Sequence, residues 1–193
     1  MSFKSFEQNS AEQEREKAFE ELIVDFDSNR EQSEGYIRYE LPYPKEQFLN
    51  YLTQKKKFLL HGSSRRLEAL KPQQANDGEK AFGNKIGVYA VEDPVLPIFY
   101  AIQDRAKIHG YVVSHKLTAT SYYFEMPKEI LAQKPWKDGV VYILTREKFE
   151  QGHNDNGDPI DEWASTEAVE PWARLEVAPS DFRFLDEIKE LKT

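Results

Sequence analysis

The sequence predicts an α+β domain of mainly antiparallel strands with few helices, preceded by an N-terminal helix. Short apolar or alternating runs recur through residues 36–185, without the long intervening helices that a parallel βαβ fold needs. The chain holds 12 Phe, 10 Tyr and 3 Trp in 193 residues, so a packed core is expected although only 39% of residues are hydrophobic. Within residues 10–33, Ala18, Phe19, Leu22, Ile23 and Phe26 recur at three- and four-residue steps, the period of a helix with one apolar face.

In chain order, Ser10 with Gln13 fits a capping box for that first helix, and the ten residues before it are expected to be loose. Gly35 marks its end and divides an acidic helical extension, 1–35, from a main domain, 36–193. Tyr36 to Leu41 alternates as a strand does. Pro44 opens a short helix through Phe48 and Leu52, since proline suits a first helical turn. Phe58-Leu59-Leu60 is a buried strand running into His61-Gly62-Ser63-Ser64. Gln73 to Lys85 is a polar loop containing Asn76-Asp77-Gly78. Gly87 to Val91 is a second buried strand, and Pro97 to Ala106 a helix with Ile98, Phe99, Ile102 and Ala106 on one side. Tyr111 to Leu117, Ser121 to Met126 and Val140 to Leu144 are strands. Gln151 to Pro159 is a turn-rich loop. Trp172 to Val177 and Phe182 to Leu185 complete the set.

Charge and composition exclude several functions. The net charge is −8, which argues against a general nucleic-acid binder. Residues 1–35 hold four Lys/Arg and ten Asp/Glu, whereas residues 55–85 hold eight Lys/Arg and three acidic residues. A basic stretch inside an acidic chain suits a small anionic ligand better than a long polyanion. No apolar run approaches the roughly 18 residues of a membrane span, and no signal-peptide pattern opens the chain, so a cytoplasmic protein is expected. With no cysteine there is no disulfide, thiolate nucleophile or Cys-based metal site. No metal is expected.

Familiar catalytic motifs are missing: no glycine-rich dinucleotide or Walker loop, no His-Glu-x-x-His, and no nucleophile elbow around Ser63 or Ser64. His153 to Asp158 has oxygen ligands but the wrong glycine position for a calcium loop, and reads as a solvated turn. What remains is an apolar strand that ends in His61-Gly62-Ser63. A glycine lets a ligand come close to the backbone, and a histidine ring can bond a hydroxyl.

His61-Gly62-Ser63, followed by Gly87-Val88-Tyr89-Ala90 and a later Tyr100, resembles the ADP-ribosyltransferase fold family. The likeness is to its poly(ADP-ribose) polymerase and diphtheria-toxin branch, with parts shared by rifamycin ADP-ribosyltransferases and tRNA 2′-phosphotransferases. It covers roughly residues 57–105. The resemblance implies two mainly antiparallel sheets forming a cleft, NAD as substrate, and transfer of ADP-ribose to an acceptor of unknown kind (protein, small molecule or nucleic acid). It also implies roles. His61 would bond a ribose hydroxyl, the Gly62 backbone would hold the nicotinamide amide, and Ser63 would assist at the ribose. Tyr89 and Tyr100 would wall the nicotinamide slot, and Arg65, Arg66, Lys71 or Lys85 would offset the pyrophosphate charge.

Two positions depart from the family pattern. Pro97 stands where a nicotinamide-contacting serine is usual. The catalytic glutamate, which stabilises an oxocarbenium-like centre, is to be sought before the strand at Trp172: Glu170 ranks first, Glu167 second and Glu162 third. A strict alignment on that strand puts Arg174 at the catalytic position instead. Three alternatives stay open: an inactive NAD or ADP-ribose binding module, a tRNA 2′-phosphotransferase-like enzyme, and an interaction protein using its acidic helix.

Overall fold

A computed structural model describes residues 3–74, 82, 85–108, 112–118 and 121–191. Most of the expected polar loop around Asn76-Asp77-Gly78, and Tyr111, lie outside the described residues. Four α-helices are present among those described: α1 (Phe3–Asn29), α2 (Lys45–Lys56), α3 (Val95–Ala101) and α4 (Lys128–Leu131). Ten strands accompany them: β1 (Leu59–Ser63), β2 (Gln73–Gln74), β3 (Ile86–Ala90), β4 (Val113–Lys116), β5 (Tyr122–Met126), β6 (Gly139–Leu144), β7 (Glu150–His153), β8 (Pro159–Ser165), β9 (Ala173–Val177) and β10 (Lys189–Glu190).

The fold is α+β, and its strands form three sheets where two were expected. They run β1-β6-β9, β2-β3-β8-β7 and β10-β5-β4, antiparallel throughout except for the β10–β5 pair. The first sheet is the centre of the molecule. All six residues of β6 are buried, because both of its faces are covered. One face carries Leu60, Val141, Ile143 and Leu175 beneath α1, α2 and α3. The other carries Leu59, Val140, Tyr142 and Leu144, packed against Val88 and Ala90 of β3.

Helix α1 begins by Phe3, upstream of the cap expected at Ser10, and its second half belongs to the main core. Phe19, Ile23 and Phe26 are buried, each worth roughly 1.5–3 kcal/mol of transfer free energy. Phe19 meets Phe48 edge-on at 5.3 Å, and Phe26 meets Trp172 at 5.1 Å. Gly35 lies past the helix end at φ +76°, a left-handed turn that glycine adopts without cost.

Several expectations need correction. Tyr36 to Leu41 is extended but forms no strand. It makes one bridge, Tyr36 to Arg174, because Arg174 N–H and C=O bond Gly35 O and Ile37 N–H before the chain turns toward α2. Its alternation records half-burial, not a ladder. Helix α3 ends at Ala101, not Ala106, since Gln103 bridges Trp136 and Asp104 N–H bonds Pro135 O. Residues 151–159 are not all loop: β7 and β8 form a hairpin whose turn is closed by Asn154 and Gly157. Phe182 to Leu185 is no strand, and single 3-10 turns at Pro179–Asp181 and Leu185–Glu187 flank it.

Candidate functional site

His61-Gly62-Ser63 lies within β1 and not in a turn beyond it. Leu60 bonds Val91 with both its N–H and its carbonyl, so β1 and the end of β3 touch at that point. Continuing that register would pair Gly62 with Tyr89. The strands part instead, and the His61 ring enters the gap: Nδ1 lies 2.7 Å from the Tyr89 carbonyl. A carbonyl only accepts, so Nδ1 carries the proton and Nε2 is left as an acceptor. Backbone groups alternate in direction along a strand, so Gly62 N–H and C=O point to the same edge as those of Leu60, away from β6. Among the described residues no β1–β3 ladder continues past the Leu60–Val91 bridge, so a backbone edge with a histidine beside it lies between the two strands.

Gly62 has a second, structural reason to be glycine. A Cβ at this position would lie 1.9 Å from the Pro97 carbonyl oxygen, and one at Gly139 would lie 1.9 Å from that of Ala101. Pro97 and Ala101 are four residues apart, hence on one face of α3. The helix backbone thus rests directly on β1 and β6. The close approach foreseen for a ligand above Gly62 is taken by α3, which leaves only the strand edge open.

Burial holds the His61 pKa below its usual 6.5, although the bond to the Tyr89 carbonyl works the other way. The folded ring is therefore neutral at pH 7 and refuses a proton that the unfolded chain accepts. Stability from this group is complete above 6.5 and is lost as the pH falls through 6.5 toward the lower folded value. Thermal unfolding of wild type and His61→Gln between pH 5 and 8 tests this. The wild type should show the steeper acid-side decline, and parallel profiles would refute it.

The remaining predicted residues are gathered unevenly. The Tyr89 hydroxyl donates toward the Phe82 and Lys85 carbonyls, at 3.0 and 2.8 Å, and so ties down the loop before β3. Tyr100 stands on the exposed side of α3, its hydroxyl 2.6 Å from Ser114 Oγ. Its ring packs 5.7 Å from Phe99. Ser63 Oγ accepts from Arg65 N–H in the turn after β1. Tyr142, opposite His61 on β6, donates its hydroxyl to Arg65 O and accepts from Leu67 N–H, each at 2.7 Å. Arg174 completes that row on β9 and donates to the carbonyls of Leu67, Glu68 and Glu34. It is a clamp for the 64–70 loop, with each of its three guanidinium nitrogens already engaged.

The three candidate carboxylates differ sharply in placement. Glu170 is exposed, next to the Val169–Leu70 bridge. Glu167 is exposed as well, and pairs with Lys148 at 3.6 Å. Neither is bonded to His61. Glu162 is half-buried in β8, the strand that pairs directly with β3. Tyr89 sits opposite Ala164, and Glu162 is two residues from Ala164, so it shares a sheet face with Tyr89. Such diagonal neighbours lie roughly 7–8 Å apart. The third-ranked residue thus lies on the strand beside β3, on the face that carries Tyr89.

A cavity of about 760 Å³ was not foreseen. It opens between α1, α2 and the Glu92-Asp93-Pro94 turn, and neither His61, Tyr89 nor Tyr100 lines it. Asp93 is buried there. It accepts from Val95 N–H at the start of α3 and from the Tyr122 hydroxyl at 2.6 Å, and it pairs with Lys116. Asp161 accepts the N–H groups of Glu92 and Asp93; burial raises its pKa, and those two bonds oppose the rise. Burial raises Glu46 likewise, against the pull of Arg183. Every one of these groups has a partner, so the cluster fastens the Glu92–Val95 turn to its surroundings. Its walls come from distant segments, which no local pattern could announce.

Among the described residues no group of three or more His, Asp or Glu is arranged to hold a metal ion, and no helix is long and apolar enough to cross a membrane. Compared with known family models, curated proteins and solved structures, the chain shows no match.

Proposed function

We propose that the chain binds NAD where β1 and β3 part and transfers its ADP-ribose unit to an acceptor nucleophile. One observation carries this reading: the outward Gly62 N–H and C=O beside a neutral His61 whose Nε2 can only accept. A carboxamide matches that edge, its oxygen accepting from Gly62 N–H and its amino group donating to Gly62 C=O. A ribose hydroxyl would donate to His61 Nε2. In the reaction the bond from ribose C1′ to the pyridinium nitrogen breaks, and its electron pair leaves with neutral nicotinamide. Positive charge develops on C1′ and the ring oxygen. The acceptor's lone pair then forms the new C1′ bond and its proton passes to a base. A carboxylate near C1′ favours that transition state over the ground state. Our candidate for this role is Glu162, on the face of β8 that it shares with Tyr89.

Incubation with NAD labelled in its nicotinamide ring, offered protein, nucleic-acid and small-molecule acceptors in turn, tests the reading. Release of labelled nicotinamide is expected, and none with any acceptor would overturn it. A second reading, binding without turnover, draws on the exposed positions of Glu167 and Glu170 and on Pro97 in the place of a serine. Saturable NAD binding by calorimetry with no release would favour it.

A further inference from the structure

We propose that Asn156 is a self-modification site: the Gly157 nitrogen converts its carboxamide to an aspartate or an isoaspartate, and the isoaspartate loosens the β7–β8 hairpin. The inference stands apart from the transferase reading. It begins in the turn that joins the two strands. There Asn154 is held by its neighbours. Its Oδ1 accepts from the N–H groups of Asn156 and Asp158, at 3.0 and 2.9 Å, and its Nδ2 donates to Asp158 Oδ2 at 3.3 Å. Asn156 is exposed, and its own carboxamide has no partner among the described residues. Gly157 follows it, the one asparagine–glycine step in the chain. Gly157 has no Cβ, and no atom stands within 4 Å of where one would lie.

In the reaction the Gly157 amide nitrogen gives its proton to hydroxide and forms a bond to Asn156 Cγ. The Cγ–Nδ2 bond breaks, and the amide takes a proton from water and leaves as ammonia, which completes a succinimide ring. Water then cleaves one of the two ring C–N bonds. Opening at Cγ gives aspartate. Opening at the main-chain carbonyl sends the backbone through Cγ, as isoaspartate, and lengthens it by a carbon. Ring closure needs a free carboxamide and a next residue that leaves its nitrogen accessible. Among the described residues Asn156 alone combines them. Asn9 and Asn50 lie inside α1 and α2, where helical bonds hold the following nitrogen. Asn29 Nδ2 is bonded to Asp25, and an arginine follows it. The Gly157 N–H bonds Asn154 O at 2.9 Å and must first let go, which costs little in an exposed turn. An isoaspartate lengthens the loop across which Asn154 N–H bonds Asp158 O, and sets a carboxylate between Asp155 and Asp158. The hairpin pair beside it is His153 with Pro159. Two residues on, Asp161 fastens the Glu92 and Asp93 N–H groups ahead of α3.

The test incubates the folded full chain at mildly alkaline pH and follows each asparagine by peptide mass spectrometry. Digestion at acidic pH keeps rings from closing during the measurement, and chromatography separates the aspartyl and isoaspartyl forms. A synthetic peptide of residues 151–160 serves as the unstructured reference. Asn156 should convert about tenfold faster than Asn154 or Asn29, whose side chains are held and whose next residues are not glycine. Equal rates at Asn156 and Asn154, or an unchanged Asn156 in the protein while the peptide converts, would overturn the site. The Asn156→Asp variant carries the added charge without the extra backbone carbon. The isoaspartyl form should therefore unfold at a lower urea concentration than this variant, and equal midpoints would overturn the loosening of the hairpin.

Discussion

Gly62→Ala is expected to destabilise the fold by about 3 kcal/mol or more, at the upper end of overpacking substitutions. The new methyl would sit 1.9 Å from the Pro97 carbonyl oxygen, and both that atom and the strand beneath it are backbone. A flexible side chain could swing aside, but here the whole of α3 must lift. Lifting it also uncovers Ile98 and Phe99, which are buried between the helix and the sheet. Gly139→Ala should behave alike, since its methyl would meet the Ala101 oxygen at the same 1.9 Å. Gly157→Ala serves as the comparison. That residue has a positive φ of 84° but open space around it, so only the conformational cost of about 1 kcal/mol applies. Urea unfolding of the three variants measures the differences. A Gly62→Ala protein as stable as the Gly157→Ala one would disprove the direct seating of α3 on the sheet. The contact matters for function too, because it fixes which side of Gly62 stays open.

The parts of the fold legible in the sequence are those whose burial is simple. Strands β1, β6 and β9 hold short runs such as Leu59-Leu60 and Val140 to Leu144, buried because elements cover the sheet on both sides. Strand β8 was hidden. Its sequence, Pro159-Ile160-Asp161-Glu162-Trp163-Ala164-Ser165, begins with exposed and charged residues, and only Ala164 and Ser165 are buried. The turn residues Asn154 to Asp158 before it read as the middle of a loop, yet they close a hairpin. Of the glutamates sought before the strand at Trp172, Glu170 and Glu167 are exposed, whereas Glu162 is half-buried within β8. Tyr36 to Leu41 failed in the opposite sense. Its alternation is real, because Ile37 is buried and Tyr39 bonds the Tyr43 carbonyl, but β9 offers it one bridge and no more. The close approach of α3 and the cavity beside Asp93 depend on chain segments far apart in sequence, and periodicity reports only on neighbours.

If ADP-ribosyl transfer is the activity, Glu162→Gln should lower the rate of nicotinamide release about a hundred- to a thousandfold, the usual cost of losing one group that stabilises developing charge. The amide keeps the size and one acceptor oxygen of the carboxylate, so NAD affinity should change little. The loss should fall on kcat and not on KM, because the positive charge exists only as the C1′–nitrogen bond breaks. Glu170→Gln and Glu167→Gln should each stay within about threefold of wild type, a shift of less than 1 kcal/mol. Both carboxylates are exposed, and the one ion pair, Glu167 with Lys148, is a surface contact of small worth. Single-turnover release rates at saturating NAD separate the three variants. A Glu162→Gln enzyme of normal rate beside an inactive Glu170→Gln enzyme would move the charge-stabilising role to the segment before β9. The face of β8 shared with Tyr89 would then be a packing surface, and the cleft would have to close by bringing residues 165–170 toward His61.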